Sequence, residues 1–317
     1  MGSSVDILLA TFEGARFLAE QLASIEAQTC PGWRLIVRDD GSTDDSPAIL
    51  EGFAQRHAGH VRILRDGRGR LGPCGNFAAL LGVSDAPYFM FCDQDDVWLP
   101  EKLGTMLGAI SIAEKKHGAE TPILVHSDLV VTDEVLRVLH PSFWRHARLL
   151  NPAKPPSSAS LVLRNFAIGC AAIGNAALRE AAMPIPDGVY MHDWWVALVA
   201  LVLGEIVAHN EATILYRQHQ RNSLGGHGRS LVETIARFIS APATELQRVR
   251  FFIQKSQQQA ALLQNKFQGD MAPQFRAFLA EFSRLPQAGF LQRKSFLHRY
   301  RAWPDYWLPA AVCWLFL

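Results

Sequence analysis

Three carboxylates fall within four residues at Asp93-Gln94-Asp95-Asp96. So close together they repel one another unless they are solvated or share a cation. Hard divalent ions such as Mg²⁺ or Mn²⁺ prefer oxygen ligands and bridge protein carboxylates to phosphates, so the run has the chemistry of a metal–phosphate site. An acidic turn capping a helix that starts near Pro100 would use the same residues. The apolar strand before the run and Val97-Trp98-Leu99-Pro100 after it set it apart from a surface acidic patch. A second cluster, Asp39-Asp40-Gly41-Ser42-Thr43-Asp44, offers a different use. A buried carboxylate at a strand end can accept the N3–H of a uracil or thymine ring and so select pyrimidines. A helix-capping turn has the same composition. Asp193 is an isolated carboxylate at the start of a helical stretch, where the macrodipole favours negative charge.

These residues need elements to position them. Val5–Thr11 is a compact apolar run, as expected for a strand buried on both faces. Phe17, Leu18, Leu22 and Ile25 then recur at helical spacing, and Pro31-Gly32 stops that helix. Arg34–Val37 reads as a second strand ending in the Asp39–Asp44 turn, Ile49 and Phe53 as a helix, and Val61–Leu64 as a third strand. Tyr88–Cys92 is a fourth strand, followed at once by Asp93. Strands alternating with helices predict right-handed crossovers and a mostly parallel sheet, in which ligands collect at the carboxyl ends of the strands. Both acidic clusters sit at such ends. Farther on, Ile123–His126 reads as a strand leading into Ser127-Asp128, and Asn151–Ser160 as a Pro/Ser-rich loop. Asn165–Ala177 reads as a strand and turn packed close to something, Met191–Leu203 as a helix and Ile206–Tyr216 as a last strand. Gly225-Gly226-His227-Gly228 suits a linker or a lid, and the chain from Leu231 onward reads as helical.

Composition narrows the function classes. Of 317 residues, 49% are hydrophobic and 19% charged, enough apolar material for a large core and the opposite of a disordered chain. Lys+Arg is 31 against 30 Asp+Glu, a net charge of +1, without the basic excess of a protein that lives on nucleic-acid phosphates. The five cysteines are odd in number and widely spaced with no C-x-x-C pair, which argues against a disulfide framework and a structural zinc site. No uncharged apolar run reaches the roughly 18–20 residues that span a bilayer. Asp6 interrupts the first apolar stretch, and no charged leader precedes it. The expectation is a cytoplasmic chain, in contact with the inner face of the membrane if it meets one at all.

Taken in order, Thr11-Phe12-Glu13-Gly14, Gln21 through Gln28-Thr29, Asp39–Asp44 and Asp93-Gln94-Asp95-Asp96-Val97-Trp98 resemble the nucleotide-sugar-binding half of family 2 glycosyltransferases. The flavour is that of bacterial rhamnosyltransferases of polysaccharide assembly. His126-Ser127-Asp128-Leu129, Asn165 with Gly169-Cys170, His192-Asp193-Trp194-Trp195 and Tyr216-Arg217-Gln218-His219 extend the resemblance to roughly residues 5–223. It implies a GT-A fold, Rossmann-like, with a mostly parallel central sheet flanked by helices and a helical C-terminal extension. The implied division is a catalytic domain over residues 1–228, its donor half about 1–130 and acceptor half about 131–228, followed by a helical region over 229–317.

The resemblance also implies roles. Asp39 would hold the base N3–H, with Thr11, Phe12 and Glu13 flanking the donor and Gln94 and Arg217 among the donor contacts. Asp93 and Asp95 match the pair that binds ribose and the diphosphate-bound Mg²⁺ or Mn²⁺, and His219 sits where a histidine can add a metal or diphosphate ligand. Asp193 matches the catalytic base, and His192, if protonated, would help to keep it charged. Asp128 is either a hydrogen-bond acceptor behind the site or a direct sugar ligand. Of Trp194 and Trp195, at least one is expected in the core and the other free to line the acceptor cleft. Glu13 stands where the family commonly has Asn, and Arg70 precedes Leu71-Gly72 where Asn is common. The implied reaction is inverting transfer of a sugar, best matched by L-rhamnose from dTDP-L-rhamnose, to a hydroxyl of a glycan or lipid-linked glycan. A sugar-nucleotide-forming nucleotidyltransferase also pairs such a sheet with acidic metal ligands, but usually carries a Gly- and Arg-rich N-terminal phosphate loop that Val5–Leu18 lacks. A non-catalytic nucleotide-sugar-binding protein would bind donor without turnover. In residues 288–317, Arg293, Lys294, Arg299 and Arg301 mix with Phe290, Phe296, Trp303, Trp307, Trp314 and Phe316. That mixture suits either a peripheral contact with anionic lipid or a helix pair packed on the catalytic domain or a partner.

Overall fold

The structure is a computed structural model that describes residues 5–146, 158–219 and 240–300. The glycine-bearing stretch 225–228, most of the 151–160 loop, the boundary at residue 228 and the tail from Arg301 lie outside the described residues.

Strand β1 (Val5–Thr11) is flanked by β2 (Trp33–Asp39) and β4 (Tyr88–Cys92), and β3 (Val61–Ile63) lies beyond β2, all four parallel. β1 lies wholly inside, which is why its sequence is apolar without alternation. Helices α1 (Ala15–Glu26) and α2 (Ser46–Arg56) carry the crossovers, as the periodicity predicts. Sequence periodicity gave no sign of α3 (Gly72–Val83), which joins β3 to β4. It buries Asn76, Phe77, Ala79, Leu80 and Leu81 around its girth, so it has no apolar stripe, and Gly72, Pro73, Gly75 and Gly82 lower its helix propensity.

Beyond β4 the sheet becomes mixed. The order is β3-β2-β1-β4-β8-β6-β9-β5, with β7 on β6, so the parallel expectation holds for the first half and not for the second. β8 (Ala172–Asn175) runs antiparallel to both β4 and β6 (Ile123–Thr132), whereas β9 (Glu205–Arg217) is parallel to β6. The two-residue β5 (Val97–Trp98) directly follows the acidic run and pairs antiparallel with β9 at Leu215 and Ile214. This pairing brings the end of β9, and with it Arg217, to the acidic run. The next helix, α4 (Lys102–His117), starts two residues after Pro100.

The sheet has a core on each side. One contains Leu18 and Leu22 of α1, Phe53 of α2 and Ile110 of α4. The other is centred on α8 (His192–Leu203), whose residues 194–200 are all buried. The remaining short helices are α5 (Phe143–His146), α6 (Ser158–Leu163) and α7 (Ala176–Ala182). The C-terminal helices α9 (Pro242–Phe267), α10 (Pro273–Arg284) and α11 (Phe290–Arg299) join the α8 side, with Phe252 stacked on Trp194 at 5.4 Å.

Candidate functional site

At the carboxyl ends of β1 and β2, two loops are tied into one body. Asp39 Oδ2 accepts from the Gly41 and Ser42 N–H groups at 3.1 and 2.8 Å, and its Oδ1 accepts from the Ser42 hydroxyl at 2.5 Å. Gly41 has φ 88°, the left-handed region that glycine enters freely, and so lets the turn fold back on Asp39. Glu13 also has a left-handed backbone, φ 50°, which an Asn would tolerate better than a Glu. Its carboxylate holds that conformation by accepting from the Thr43 N–H and hydroxyl at 2.7 and 3.0 Å. Asp44 accepts from the Ala15 N–H at 2.9 Å and the Ser46 N–H at 3.0 Å, satisfying groups at the starts of α1 and α2. Burial pushes the Asp44 pKa up, but these donors and the Ser46 hydroxyl outweigh it and the net shift is downward.

Gln94 joins this body to the acidic run. Its Oε1 accepts from the Thr11 hydroxyl at 2.6 Å and the Phe12 N–H at 2.9 Å, and its Nε2 donates to the Phe12 carbonyl at 3.1 Å. Gln94 thus fixes the Thr11–Phe12 loop. A Cβ on Gly14 would fall 2.1 Å from Gln94 Oε1, so glycine is required where α1 meets this latch. Behind Asp39, the buried Arg38 pairs with Asp40 at 2.7 Å and Asp66 at 3.1 Å and donates to the carbonyls of Arg68 and Gly69. Asp40 in turn accepts the Leu71 and Gly72 N–H groups, each at 2.8 Å. This network, which sequence motifs did not reveal, sets the loop that lays the Arg70 guanidinium over the Phe12 ring at 3.9 Å. A groove of about 290 Å³ adjoins Asp39, lined by Leu50, Ile63 and Leu64 and by Arg65 and Arg68.

The acidic run lies where β4, β5 and β9 meet. Asp95 Oδ2 and His219 Nε2 are 2.7 Å apart, so the two residues predicted to share a cation do face each other. Arg217 is buried and engaged with protein groups. Its Nε donates to the Asp95 carbonyl at 2.8 Å, its backbone N–H to Asp96 Oδ1 at 3.0 Å, and its terminal nitrogens to Glu20 and the Glu134 carbonyl. The guanidinium predicted to contact donor is therefore a brace for the loop. Asp96 Oδ2 is buried with no hydrogen-bond partner, and Asp93, Asp96 and Cys170 offer ligand atoms all within 4.8 Å of one another. An oxygen-rich set with an unpartnered carboxylate oxygen fits a hard divalent ion, and the thiol is its one soft member. Burial, then the charges of Asp95 and Asp193, push Asp93 up to about 7. Burial, then Asp95 and Asp93, push Asp96 well above its usual value. Lys102 lies beneath, its Nζ donating to the Cys170 carbonyl at 2.8 Å, and burial pushes it down to about 8.

Asp193, in the first turn of α8, approaches from the other side. Its Oδ2 accepts from the Gly169 N–H at 3.0 Å and its Oδ1 from the Trp194 N–H at 2.7 Å. Burial nonetheless raises it to about 6, against these hydrogen bonds and one from Asn165. Gly169 permits the approach, since a Cβ there would lie 2.9 Å from the Asp193 Cβ. Asp193 and Asp93 are near enough for the charge of one to raise the pKa of the other.

Two expectations are corrected, and a third, left open between two uses, is met in one of them. His192 is not a protonated helper: it is buried, stacked on Phe77 at 3.9 Å, with neither ring nitrogen hydrogen-bonded, and burial lowers it to about 3. Trp194 and Trp195 are both core residues, donating to the carbonyls of Leu161 and Ala182 at 2.7 and 3.0 Å, so neither lines a cleft. The all-round apolar character of α8 is what claims both. Asp128 is buried and accepts from the Leu129 and Trp144 N–H groups at 2.8 and 3.0 Å and from the Ser142 hydroxyl. Of its two expected uses, the hydrogen-bonding one is the one present.

The first third of the chain and its overall fold have known counterparts. The family described as Glycosyl transferase family 2 matches residues 6–117. The uncharacterized protein Rv1520 of Mycobacterium tuberculosis is 26% identical over 220 residues, 68% of this chain but 59% of that one, so the chain spans under two thirds of that relative's length. The dTDP-rhamnosyl transferase RfbG of Shigella flexneri is 24% identical over 230 residues, 69% of this chain and 74% of RfbG. Among solved structures, the mannosyltransferase PcManGT of Pyrobaculum calidifontis, in complex with GDP-Man and Mn²⁺, superposes with a TM-score of 0.52 at 16% identity, covering 99% of this chain and 88% of that one. At that identity the likeness carries the fold alone. Residues 6–117, the N-terminal third, are similar to glycosyl transferase family 2, and the chain has the GT-A fold.

Proposed function

We propose that the protein is an inverting glycosyltransferase that moves a sugar from a nucleoside-diphosphate donor to a hydroxyl of a glycan or lipid-linked glycan in cell-surface polysaccharide synthesis. The observation that carries this reading is the pairing of a half-buried carboxylate raised to about 6, Asp193, with the Asp93–Asp96 run beside it. At neutral pH a group with that pKa is mostly ionised, yet basic enough to take a proton. The Gly169 N–H fixes its Oδ2, and the acceptor oxygen, losing its proton to Asp193, would attack the anomeric carbon from the face opposite the diphosphate. That direct displacement inverts the anomeric configuration and needs no covalent intermediate. Asp39 would take the N3–H of a pyrimidine base and Asp93 the ribose, on the body that Gln94 and Glu13 hold rigid. Asp95 and His219 would hold Mg²⁺ or Mn²⁺ on the donor diphosphate, which supplies neutralisation of the charge that grows on the leaving group. The donor best supported is dTDP-L-rhamnose, since RfbG is a dTDP-rhamnosyl transferase.

A screen of dTDP-, UDP- and GDP-sugars by calorimetry, with and without chelator, tests base and sugar together. The expected result is tightest binding of dTDP-L-rhamnose, weakened by chelator or by Asp95→Ala. Preference for a guanine nucleotide, or binding indifferent to chelator, would contradict it.

A further inference from the structure

The β6–β7 hairpin is an apolar projection that neither core absorbs. Val135, in the turn after β6, and Val138 and Leu139, which open β7 (Val138–His140), are 66%, 60% and 60% exposed. Soluble monomers seldom gather such side chains at one point without a use for them. The turn is also preformed. Asp133 Oδ1 accepts from the Val135 and Arg137 N–H groups at 3.0 and 2.8 Å, the Asp133 N–H donates to the Arg137 carbonyl, and Leu136 is held at φ 63°. A backbone pinned in this way cannot fold its apolar tips back onto the protein.

The charges around the tip are one-sided. Asp133 is engaged with the turn itself and Glu134 with Arg16. The guanidinium groups of Arg137 and Arg145 are exposed and form no ion pair or hydrogen bond among the described residues. What faces outward is thus valine, leucine and unpaired arginine, the combination that an interface rich in anionic lipid accepts on both counts. A second copy of the chain adding a strand is the poorer fit, because β7 is three residues long and follows directly on Arg137, and short charged edges resist such pairing.

We infer that this hairpin docks the protein on an anionic bilayer surface. The Glu134 carbonyl accepts from Arg217, which also holds the Asp95 carbonyl, so a single side chain separates the docking element from the acidic run. The docking is independent of the sugar transferred and of whether transfer occurs. The test is co-sedimentation of the full chain with phosphatidylcholine vesicles containing or lacking phosphatidylglycerol. Arg137→Glu combined with Val138→Ser and Leu139→Ser should weaken binding to the anionic vesicles by about tenfold or more, with thermal melting and donor binding unchanged. Should the triple variant fail to fold, Arg137→Glu alone, at an exposed position, should give a smaller fall in the same direction. Equal binding by wild type and variant, as when the C-terminal region is the sole anchor, would overturn the inference. So would absence of wild-type binding, or a dimer in light scattering that the variant converts to monomer.

Discussion

Carboxylates in the two halves of this site are treated in opposite ways. Around the ends of β1 and β2, Asp39, Asp40 and Asp44 are surrounded by N–H, hydroxyl or guanidinium donors, and nearby Asp66 is held low by Arg38. Where the sheet turns mixed, Asp93, Asp96 and Asp193 have fewer donors and more negative neighbours, and all three are raised. The first group fixes its loops through these donors, and Asp39 does so while belonging to the rigid body proposed to meet the donor base. The second is under-compensated and gains most from a cation, a ligand hydroxyl or a proton. Active sites are where such under-compensation accumulates. How well each carboxylate is satisfied separates the loop-holding acids from those poised for proton or cation chemistry, and proximity alone would not separate the groups.

The contrast can be broken at Gly169. Gly169→Ala places a Cβ 2.9 Å from the Asp193 Cβ and should displace the carboxylate without touching the body around Asp39. Turnover is expected to fall by about 10–10²-fold, the cost of a small misplacement, while calorimetric donor affinity holds. Loss of donor affinity with preserved turnover would show that the halves are not separable.

A smaller effect sharpens the same contrast through stability. The folded pKa of Asp93, about 7, lies above its usual 3.8, so proton binding favours the folded state. Its contribution is fully present below about pH 4 and is lost as pH rises through 7. Asp93→Asn stays neutral throughout. It should raise Tm at pH 8 by about 2–4 °C, the shift that about 1 kcal/mol produces in a chain of this class, and leave Tm at pH 4 unchanged. A lower Tm at pH 8 would mean that the ionised form is stabilised, against the burial argument.

Much of the donor half could be read from the sequence because its signals are local. β1, β2 and β4 are rich in apolar residues, β2 and β4 end in the acidic turns, and each turn stays where its strand puts it. The second half depends on pairings that sequence spacing does not encode. β5 is two residues long, yet its pairing with β9 delivers Arg217 to Asp95 and Asp96 across more than 120 positions of chain. Arg217 looked like a ligand contact because nothing local reveals that its donors are occupied. The same holds for Gln94, whose side-chain amide is matched to backbone groups of Phe12 in the loop after β1. The cleft role expected for one of Trp194 and Trp195 fails for a different reason. An indole beside a candidate base suggests a sugar platform, but a helix apolar on every face must be buried on every face.

Asp193 bears the greatest weight in the proposed reaction, and Asp193→Asn tests it most directly. Asn keeps the size of the side chain and, through Oδ1, the hydrogen bond from Gly169, while removing the proton acceptor. Donor affinity should be nearly unchanged, turnover should fall on the order of 10²–10⁴-fold, and the wild-type acidic limb of turnover near pH 6 should vanish. Normal turnover by Asp193→Asn with the pH 6 limb intact would show that another group takes the acceptor proton.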